Sequence, residues 1–350
     1  MSLLMFESTE REPSATSGQK WTNIWSTNIG GTTDSRSEWQ MGQDNSPSFY
    51  KDLGADEAST MIAGFRFHLP NDETLTNDYF MGFWGDNGSV LHVSLVFTTN
   101  RQINVYRGAP ATNLIASSST NAFSNNQWTY CECKTFINDS TGTVQVRIDG
   151  QDIINATGLD TKNAGSDALI DRVSFGSSEA NTSFNGTDYV ILNTSGSAPL
   201  NDLIGPATVY AKAPTGAGNY TQWTPNTGAN WAAVDENIGT PANGPDGDTT
   251  YVESTADGDR DSYVYADITE VSSGILAVQV VPSVRYNVSP LNIGTFVRRS
   301  STDSDGNTLT PTASYSDRGY TIWTQDPIAA SDWTVSNFNA SEFGIFSEAP

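Results

Sequence analysis

Few residues of this chain have the types and spacing that chemistry requires. The segment Asp303-Ser-Asp-Gly-Asn307 has the pattern that opens a calcium loop, because it places carboxylate and amide oxygens at alternate positions around a glycine turn. Ser314, however, stands where such a loop needs a bidentate glutamate. The favoured interpretation is therefore a turn rich in Asp and Gly between Val297 and Thr310.

Acid–base and nucleophilic catalysis are not indicated either. Asp56–Glu57 and Asp72–Glu73 are adjacent pairs near predicted strand ends, whereas a glucanase-type site needs Glu-x-Asp-x-x-Glu on one strand to flank a glycosidic bond. His68 and His92, the only histidines, lie in predicted strands without a serine or cysteine nucleophile signature beside them. These patterns predict a protein that is not an enzyme and that has no catalytic residue, cofactor or metal ligand.

The two cysteines, Cys131 and Cys133, are two residues apart on one predicted strand, so that both side chains point to the same face. A disulfide between them would be strained, and no further ligand with metal-site spacing accompanies them. We therefore expect two small buried hydrophobic residues, and a fold that does not depend on an oxidising compartment.

Three aromatic residues stand out in a long polar segment, Gly216 to Asp248, which is rich in Asn, Thr, Gly and Pro. Tyr220, Trp223 and Trp231 predict that this segment packs against something instead of remaining free. They are candidates for a core or for an interface with a neighbouring subunit, and less so for stacking on a sugar ring.

The net charge of −23 limits the kinds of partner that the chain can bind. A surface this negative repels phosphate backbones, and no cluster of Lys and Arg with interleaved aromatics overrides that repulsion, so nucleic acid is not an expected partner. No apolar stretch approaches the roughly 20 residues that cross a bilayer, so membrane insertion is not expected. The N-terminal residues lack the basic and apolar regions of a secretory signal, which predicts folding in a cytoplasm.

Short alternating segments separated by Gly, Asn, Asp, Ser and Pro predict an all-β chain of two β-sandwich domains. The clearest hairpin is Asn126 to Ile154, in which apolar and polar residues alternate and Asp149–Gly150 supplies a tight turn. It resembles hairpins of the concanavalin A-like and laminin-G-like sandwiches. The strands predicted for this half are Met61–Leu69, Tyr79–Trp84, Leu91–Thr98, Gln102–Arg107, Trp128–Phe136, Thr143–Asp149, Arg172–Gly176 and Thr187–Leu192.

A turn-rich segment from Asn193 to Pro206 predicts the domain boundary near Asp202. Residues 1–202 form the expected concanavalin-like jelly roll, and residues 203–350 a smaller β-sandwich. One helical turn is predicted at Trp333–Asn339, capped by Ser331 or Asp332. The strands predicted for this half are Ala207–Ala213, Tyr251–Glu253, Asp261–Asp267, Ile275–Tyr286, Ile293–Arg299, Tyr315–Thr324 and Phe343–Ser347.

The second half is similar to a module of structural proteins of tailed bacteriophages. The residues that carry this resemblance are 220–228 (YTQWTPNTG), 233–236 (AVDE), 245–252 (PDGDTTYV), 275–281 (ILAVQVV) and 333–345 (WTVSNFNASEFGI). The resemblance implies a virion protein, and it carries over no functional residue.

We accordingly expect a non-enzymatic structural protein on the surface of a phage particle, made in the host cytoplasm and placed in the tail or baseplate or as a capsid decoration. Its expected partners are other virion proteins, and a homo-oligomer on a symmetry axis or lattice is expected. The alternative is a carbohydrate-binding adhesin for host attachment that contacts a glycan of the host envelope. An enzyme acting on host polysaccharide is the least favoured hypothesis. Leu3, Leu4, Met5 and Phe6 are expected to form either an edge strand or an anchoring arm.

Overall fold

A computed structural model shows an all-β chain, as predicted. The described residues form two compact units, one ending at Tyr210 and the other running from Ala211 to Pro350. The structure describes residues 3–7, 23–24, 40–41, 49–70, 79–165, 167–176, 184–236, 246–269, 274–288, 290–317 and 321–350. The carboxylate pair Asp72–Glu73 lies outside these residues.

Unit 1 is a sandwich of two antiparallel sheets. Sheet A has the strand order β1-β14-β5-β10-β11-β12, with β3 also pairing with β14, and sheet B has the order β2-β4-β13-β6-β7-β8-β9. The strands are β1 (Leu3–Glu7), β2 (Asn23–Ile24), β3 (Gln40–Met41), β4 (Phe49–Asp52), β5 (Thr60–His68), β6 (Tyr79–Gly85), β7 (Val90–Phe97), β8 (Ile103–Arg107), β9 (Asn113–Ser117), β10 (Trp128–Phe136), β11 (Gly142–Ile148), β12 (Gln151–Leu159), β13 (Arg172–Phe175) and β14 (Phe184–Asn193).

The core of unit 1 lies between the two sheets and is rich in aromatic rings. Phe80 and Phe97 stack with ring centroids 3.9 Å apart, and Phe65 stacks on Tyr189 at 5.6 Å. All four rings belong to one continuous cluster of buried side chains. Because side chains alternate along a strand, filling one face of sheet A with this core leaves the other face free for polar residues.

The predicted jelly-roll sandwich of unit 1 is confirmed, and its predicted strands match the observed ones to within a few residues. Cys131 and Cys133 are buried and reduced in its core, as expected. The open question at the N-terminus is resolved in favour of a strand, because β1 pairs with β14 at the edge of sheet A. The predictions missed the short strands β2, β3 and β4 and also β9 and β12. In β9 and β12 most side chains are exposed or half-buried, and the apolar alternation is weak.

Unit 2 is built on one five-stranded sheet, sheet C, of order β15-β18-β25-β21-β22. Three two-stranded ladders, β16-β17, β19-β24 and β20-β23, complete it in the described residues. The strands are β15 (Pro214–Thr221), β16 (Thr224–Pro225), β17 (Val252–Glu253), β18 (Arg260–Tyr265), β19 (Val278–Gln279), β20 (Ser283–Val284), β21 (Asn292–Arg299), β22 (Thr302–Leu309), β23 (Ser316–Asp317), β24 (Ile322–Trp323) and β25 (Glu342–Glu348).

The short ladders of unit 2 form its second layer. Val278 of β19 and Trp323 of β24 pack on Val297 and Phe343, which belong to the inner face of sheet C. Two strand predictions therefore need correction. Ile275–Tyr286 is not one strand but contains β19 and β20, and the prediction over Tyr315–Thr324 contains only the short β23 and β24 within the described residues.

One short helix, α1 (Val335–Asn339), confirms the predicted helical turn, but its N-cap was predicted wrongly. The cap is Thr334, whose hydroxyl accepts a hydrogen bond from the Asn337 N–H at 3.0 Å. The predicted caps, Ser331 and Asp332, lie too early because Trp333 precedes the helix as a buried core residue. A threonine cap serves the same purpose, since its side chain satisfies one free N–H of the first turn.

Candidate functional site

Among the described residues, one chain segment crosses the outer face of sheet A. Residues Asp202 to Val209, here called the strap, follow the end of β14 and form no strand. The strap begins beside β10, where the Lys134 ammonium lies 2.9 Å from the Asp202 carboxylate. It ends beside β14, where the Val209 N–H donates to Asp188 at 2.9 Å. The strand predicted over Ala207–Ala213 is therefore wrong, because this backbone bonds to side chains of a sheet instead of to a neighbouring strand.

Glu132 fastens the middle of the strap. The N–H groups of Ile204 and Gly205 donate to its carboxylate at 3.1 Å. Only 1% of Glu132 is exposed, and the Arg147 guanidinium is 3.9 Å away. Burial raises the pKa of Glu132, although the two backbone N–H groups and Arg147 lower it. The carboxylate is thus a buried acceptor that the strap itself covers.

Arg66 and Asp188 form the third attachment point. Arg66 Nε donates to Asp188 at 3.0 Å, and Arg66 Nη2 donates to the Ala207 carbonyl at 3.2 Å. Asp188 is 3% exposed and holds Val209 with its other oxygen. A charged pair that is this well buried is held in place by its hydrogen bonds, since removing one partner leaves an uncompensated charge.

Tyr130 fills the space between these anchors. Its ring lies under the Arg66 guanidinium, 5.7 Å from the ring centroid, and burial raises the pKa of its hydroxyl. The hydroxyl lies directly over Gly64, where an added Cβ would be 2.5 Å away. It has no hydrogen-bond partner among the described residues. Gly64 is therefore the residue that lets the tyrosine lie flat across the sheet.

Together these residues bind the irregular backbone of the strap. Glu132 accepts from N–H groups, Arg66 donates to a carbonyl, and Asp188 accepts again, on three neighbouring strands. Sequence reasoning missed this site, although the polar residues of β10 alternate with the buried Cys131 and Cys133. That alternation indicates a polar outer face of the strand, but it does not indicate which segment of the chain covers this face.

The structure corrects the interpretation of residues 303–307. They lie within β22, and the turn that precedes them is at Ser300 and Ser301. Asp303 accepts from Arg298 at 2.5 Å, and Asp305 accepts from both terminal nitrogens of Arg260 at 2.7 and 2.6 Å. A strand rather than a turn forms because the two carboxylates face the same side and are each neutralised by an arginine of sheet C.

The three predicted aromatic candidates are not brought together on one surface. Tyr220 lies on the outer face of sheet C, half-buried, with its hydroxyl donating to Asp303 at 2.7 Å. Trp223 is buried in the core, and its Nε1 donates to the Asp259 carbonyl at 3.2 Å. Trp231 is half-buried in a 3₁₀ turn, Asn230–Ala233. Their contact with a subunit or a glycan stays a prediction.

The histidines lie in strands β5 and β7, as predicted. His92 is fully buried, its Nδ1 accepts from the Asn163 N–H at 3.2 Å, and burial lowers its pKa. His68 lies on the outer face of sheet A beside Trp128, with ring centroids 5.4 Å apart. Within the described ranges no three His, Cys, Asp or Glu side chains converge as metal ligands do, and no helix there is long and apolar enough to span a bilayer.

The fold of unit 1 is a jelly-roll-like sandwich of two antiparallel sheets. No protein-family model matches the sequence, and no curated protein matches it. Among solved structures it is similar to alginate lyase Aly36B, at 13% identity over 53% of this chain and 96% of that chain, with a TM-score of 0.32. Similar values hold for alginate lyase vAL-1 from Chlorella virus, at 12% identity over 47% and 88%, with a TM-score of 0.34.

A third similar structure is the cellulose induced protein Cip1, at 12% identity over 53% of this chain and 96% of that chain, with a TM-score of 0.35. Similarity this distant carries no information about activity, because one fold serves many unrelated functions. A function can therefore be inferred only from the residues of this chain itself.

Proposed function

We propose that this chain is a non-enzymatic structural protein of a bacteriophage virion, exposed on the particle as part of the tail or baseplate or as a decoration of the capsid. The phage assignment comes from the resemblance of the second half to a phage structural module. The observation that favours a structural role is the strap, because it occupies the face of sheet A with the protein's own backbone.

The polar side chains on the outer face of sheet C also pair with one another. On sheet C, Arg260 stacks over Phe296 and Phe346 at 4.9 and 5.0 Å and pairs with Asp305. Such mutually neutralised groups give a fixed surface, and a fixed surface suits assembly because little side-chain entropy remains to be lost on contact.

Mass spectrometry of purified particles tests the proposal. The chain is expected at a fixed copy number per particle that survives washing in high salt and nuclease treatment. Its absence from particles, while it is abundant in the lysate of the same infected cells, would overturn the virion assignment. Incubation with host capsular polysaccharide tests the non-enzymatic part, for which an unchanged polymer size distribution is expected.

The alternative function is a carbohydrate-binding adhesin that contacts the host envelope. It is favoured by Tyr220 and Trp231, which are half-buried and so keep part of each ring accessible for stacking on a sugar. A glycan array probed with the full chain distinguishes the two functions. Binding that is lost in Tyr220→Ala or Trp231→Ala, in protein that melts like the wild type, would favour the adhesin.

A further inference from the structure

His92 is a fully buried imidazole that neither proposed function uses. It lies on the outer face of sheet B, because its neighbour in β7, Val93, points into the core. Its Nδ1 accepts a hydrogen bond from the Asn163 N–H at 3.2 Å. A neutral imidazole has one N–H, so an accepting Nδ1 places the ring proton on Nε2. Nε2 lies over Gly85, where an added Cβ would clash with it, and it has no hydrogen-bond partner among the described residues.

Asn163 connects the chain segment of residues 161–165 to sheet B. Its side-chain Nδ2 donates to the Leu91 carbonyl at 3.0 Å, so its backbone and its side chain both bind β7. The start of the segment is held elsewhere, since the Thr161 hydroxyl donates to the Phe136 carbonyl of sheet A at 2.8 Å. The attachment at Thr161 involves no titratable group. The attachment at Asn163 depends on a ring nitrogen that can take up a proton.

We propose that His92 is a pH-sensitive latch, which holds residues 161–165 on sheet B while the imidazole is neutral and releases them when it is protonated. A protonated imidazole donates from both nitrogens and accepts at neither. The new Nδ1–H would face the Asn163 N–H, and two donors cannot bond to each other. This inference concerns unit 1 alone and does not depend on the virion assignment.

Charged groups surround the ring on several elements. They are Asp86 of the turn between β6 and β7, and Lys162, Asp167 and Asp171 of the loop between β12 and β13. The three carboxylates raise the pKa of His92 and Lys162 lowers it, but burial has the largest effect and leaves this pKa below its ordinary value of 6.5. The docked state is therefore favoured above pH 6.5 and loses that advantage as the pH falls below 6.5.

The carboxylates near the ring are bonded to other groups. Asp171 accepts from the backbone N–H groups of Asn87 and Gly88, the latter at 2.9 Å. Asp167 accepts from the Leu169 N–H at 3.2 Å. In β8, which also borders β7, the Arg107 guanidinium is neutralised by Asp160. Protonation of His92 therefore removes the bond to Asn163 without a carboxylate that is already aligned to replace it.

Amide hydrogen exchange of the full chain tests the latch. Mass spectrometry follows the peptides that contain residues 161–165 at pH 7.5 and pH 5.5, with rates corrected for the intrinsic exchange at each pH. We expect the opening of this segment to increase about three- to tenfold at pH 5.5. About tenfold is the limit for a histidine that titrates at 6.5 when released and stays neutral when docked. Exchange in β5 and β10 is expected to stay unchanged, because the release is local.

His92→Asn is the decisive variant. The Oδ1 atom of asparagine takes the place of Nδ1 and accepts from the Asn163 N–H at every pH, so the increase at pH 5.5 is expected to disappear. His68→Asn is the matched control, because it makes the same change at the only other histidine of the chain. It is expected to keep the full response of the wild type.

The proposal is overturned if the wild type shows no increase at pH 5.5, or if His92→Asn shows the same increase. An increase that is equally large in β5 and β10 would also overturn it, since that indicates general unfolding. Should His92→Asn fail to fold, the wild type still decides the question. The His92 ring signal in an NMR titration is identified by its persistence in His68→Asn, and release of residues 161–165 outside the pH range of its titration overturns the latch.

Discussion

Asp261 offers the sharpest test of the energetics in unit 2. Its side chain is fully buried on the inner face of sheet C, where one oxygen accepts from Asn230 and from the Tyr263 hydroxyl, each at 2.8 Å. The other oxygen has no hydrogen-bond partner among the described residues. Burial raises the pKa of Asp261 from 3.8 to about 6, against the two hydrogen bonds, which lower it.

The expected magnitude follows from that pKa. A rise of about 2 pKa units corresponds to about 3 kcal/mol of unfolding free energy, at roughly 1.4 kcal/mol per unit. Because the folded pKa lies above the unfolded one, the protonated carboxyl favours the folded state. Its contribution is fully present below pH 3.8 and is lost as the pH rises through about 6. At pH 7 unit 2 therefore contains an ionised group that destabilises it.

Asp261→Asn removes this charge while keeping the acceptor for Asn230 and Tyr263. The new amide N–H₂ takes the place of the oxygen without a partner, which costs about 1–3 kcal/mol. We expect a net stabilisation of about 1 kcal/mol at pH 7, and a variant whose stability no longer falls between pH 4 and pH 7. Urea denaturation followed by tryptophan fluorescence across this pH range measures both quantities.

The matched control is Asp305→Asn, the same chemical change at a carboxylate that is 44% exposed and paired with Arg260. It is expected to lower stability slightly, because it removes a favourable pair. Destabilisation of the protein by Asp261→Asn at pH 7 would contradict this expectation, and so would a variant whose stability has the same pH dependence as that of the wild type.

Three further predictions concern single anchors. Asp326→Ala is expected to destabilise unit 2 by about 3–5 kcal/mol, because it removes the carboxylate that lies 2.6 Å from the Arg299 guanidinium and leaves that charge without this partner. A urea midpoint close to that of the wild type would contradict this expectation. Gly64→Ala is expected to cost about 1–3 kcal/mol in thermal unfolding, because its Cβ would meet the Tyr130 hydroxyl, and the double variant with Tyr130→Phe should recover much of the loss. Glu132→Ala is expected to speed amide hydrogen exchange at Ile204 and Gly205 without altering that of the sheet strands; unchanged exchange at these two residues would show that the carboxylate does not hold the strap.

The sequence by itself determined the all-β class and most strands of unit 1. In β11 the residues Val144, Val146 and Ile148 alternate with polar ones, and this period of two survives because one face of the strand is buried and the other is not. Cys131 and Cys133 were placed correctly in the core for the same reason. The local alternation of apolar and polar residues is enough to predict a strand and its buried face wherever burial alternates from one residue to the next.

Only the tertiary structure decided what covers the polar face of sheet A. The strap forms no ladder of its own, and its turn-rich sequence indicated a linker, so the domain boundary was expected near Asp202 and not after Tyr210. Its partners Arg66, Glu132 and Asp188 are distant in sequence and meet only when β5, β10 and β14 lie side by side. The same holds for Asp303 and Asp305, whose spacing indicates a calcium loop or a turn. In the structure they lie in a strand, where Arg298 neutralises Asp303 and Arg260 neutralises Asp305 across sheet C. Contacts between side chains far apart in sequence depend on strand order, and strand order is a property of the whole fold.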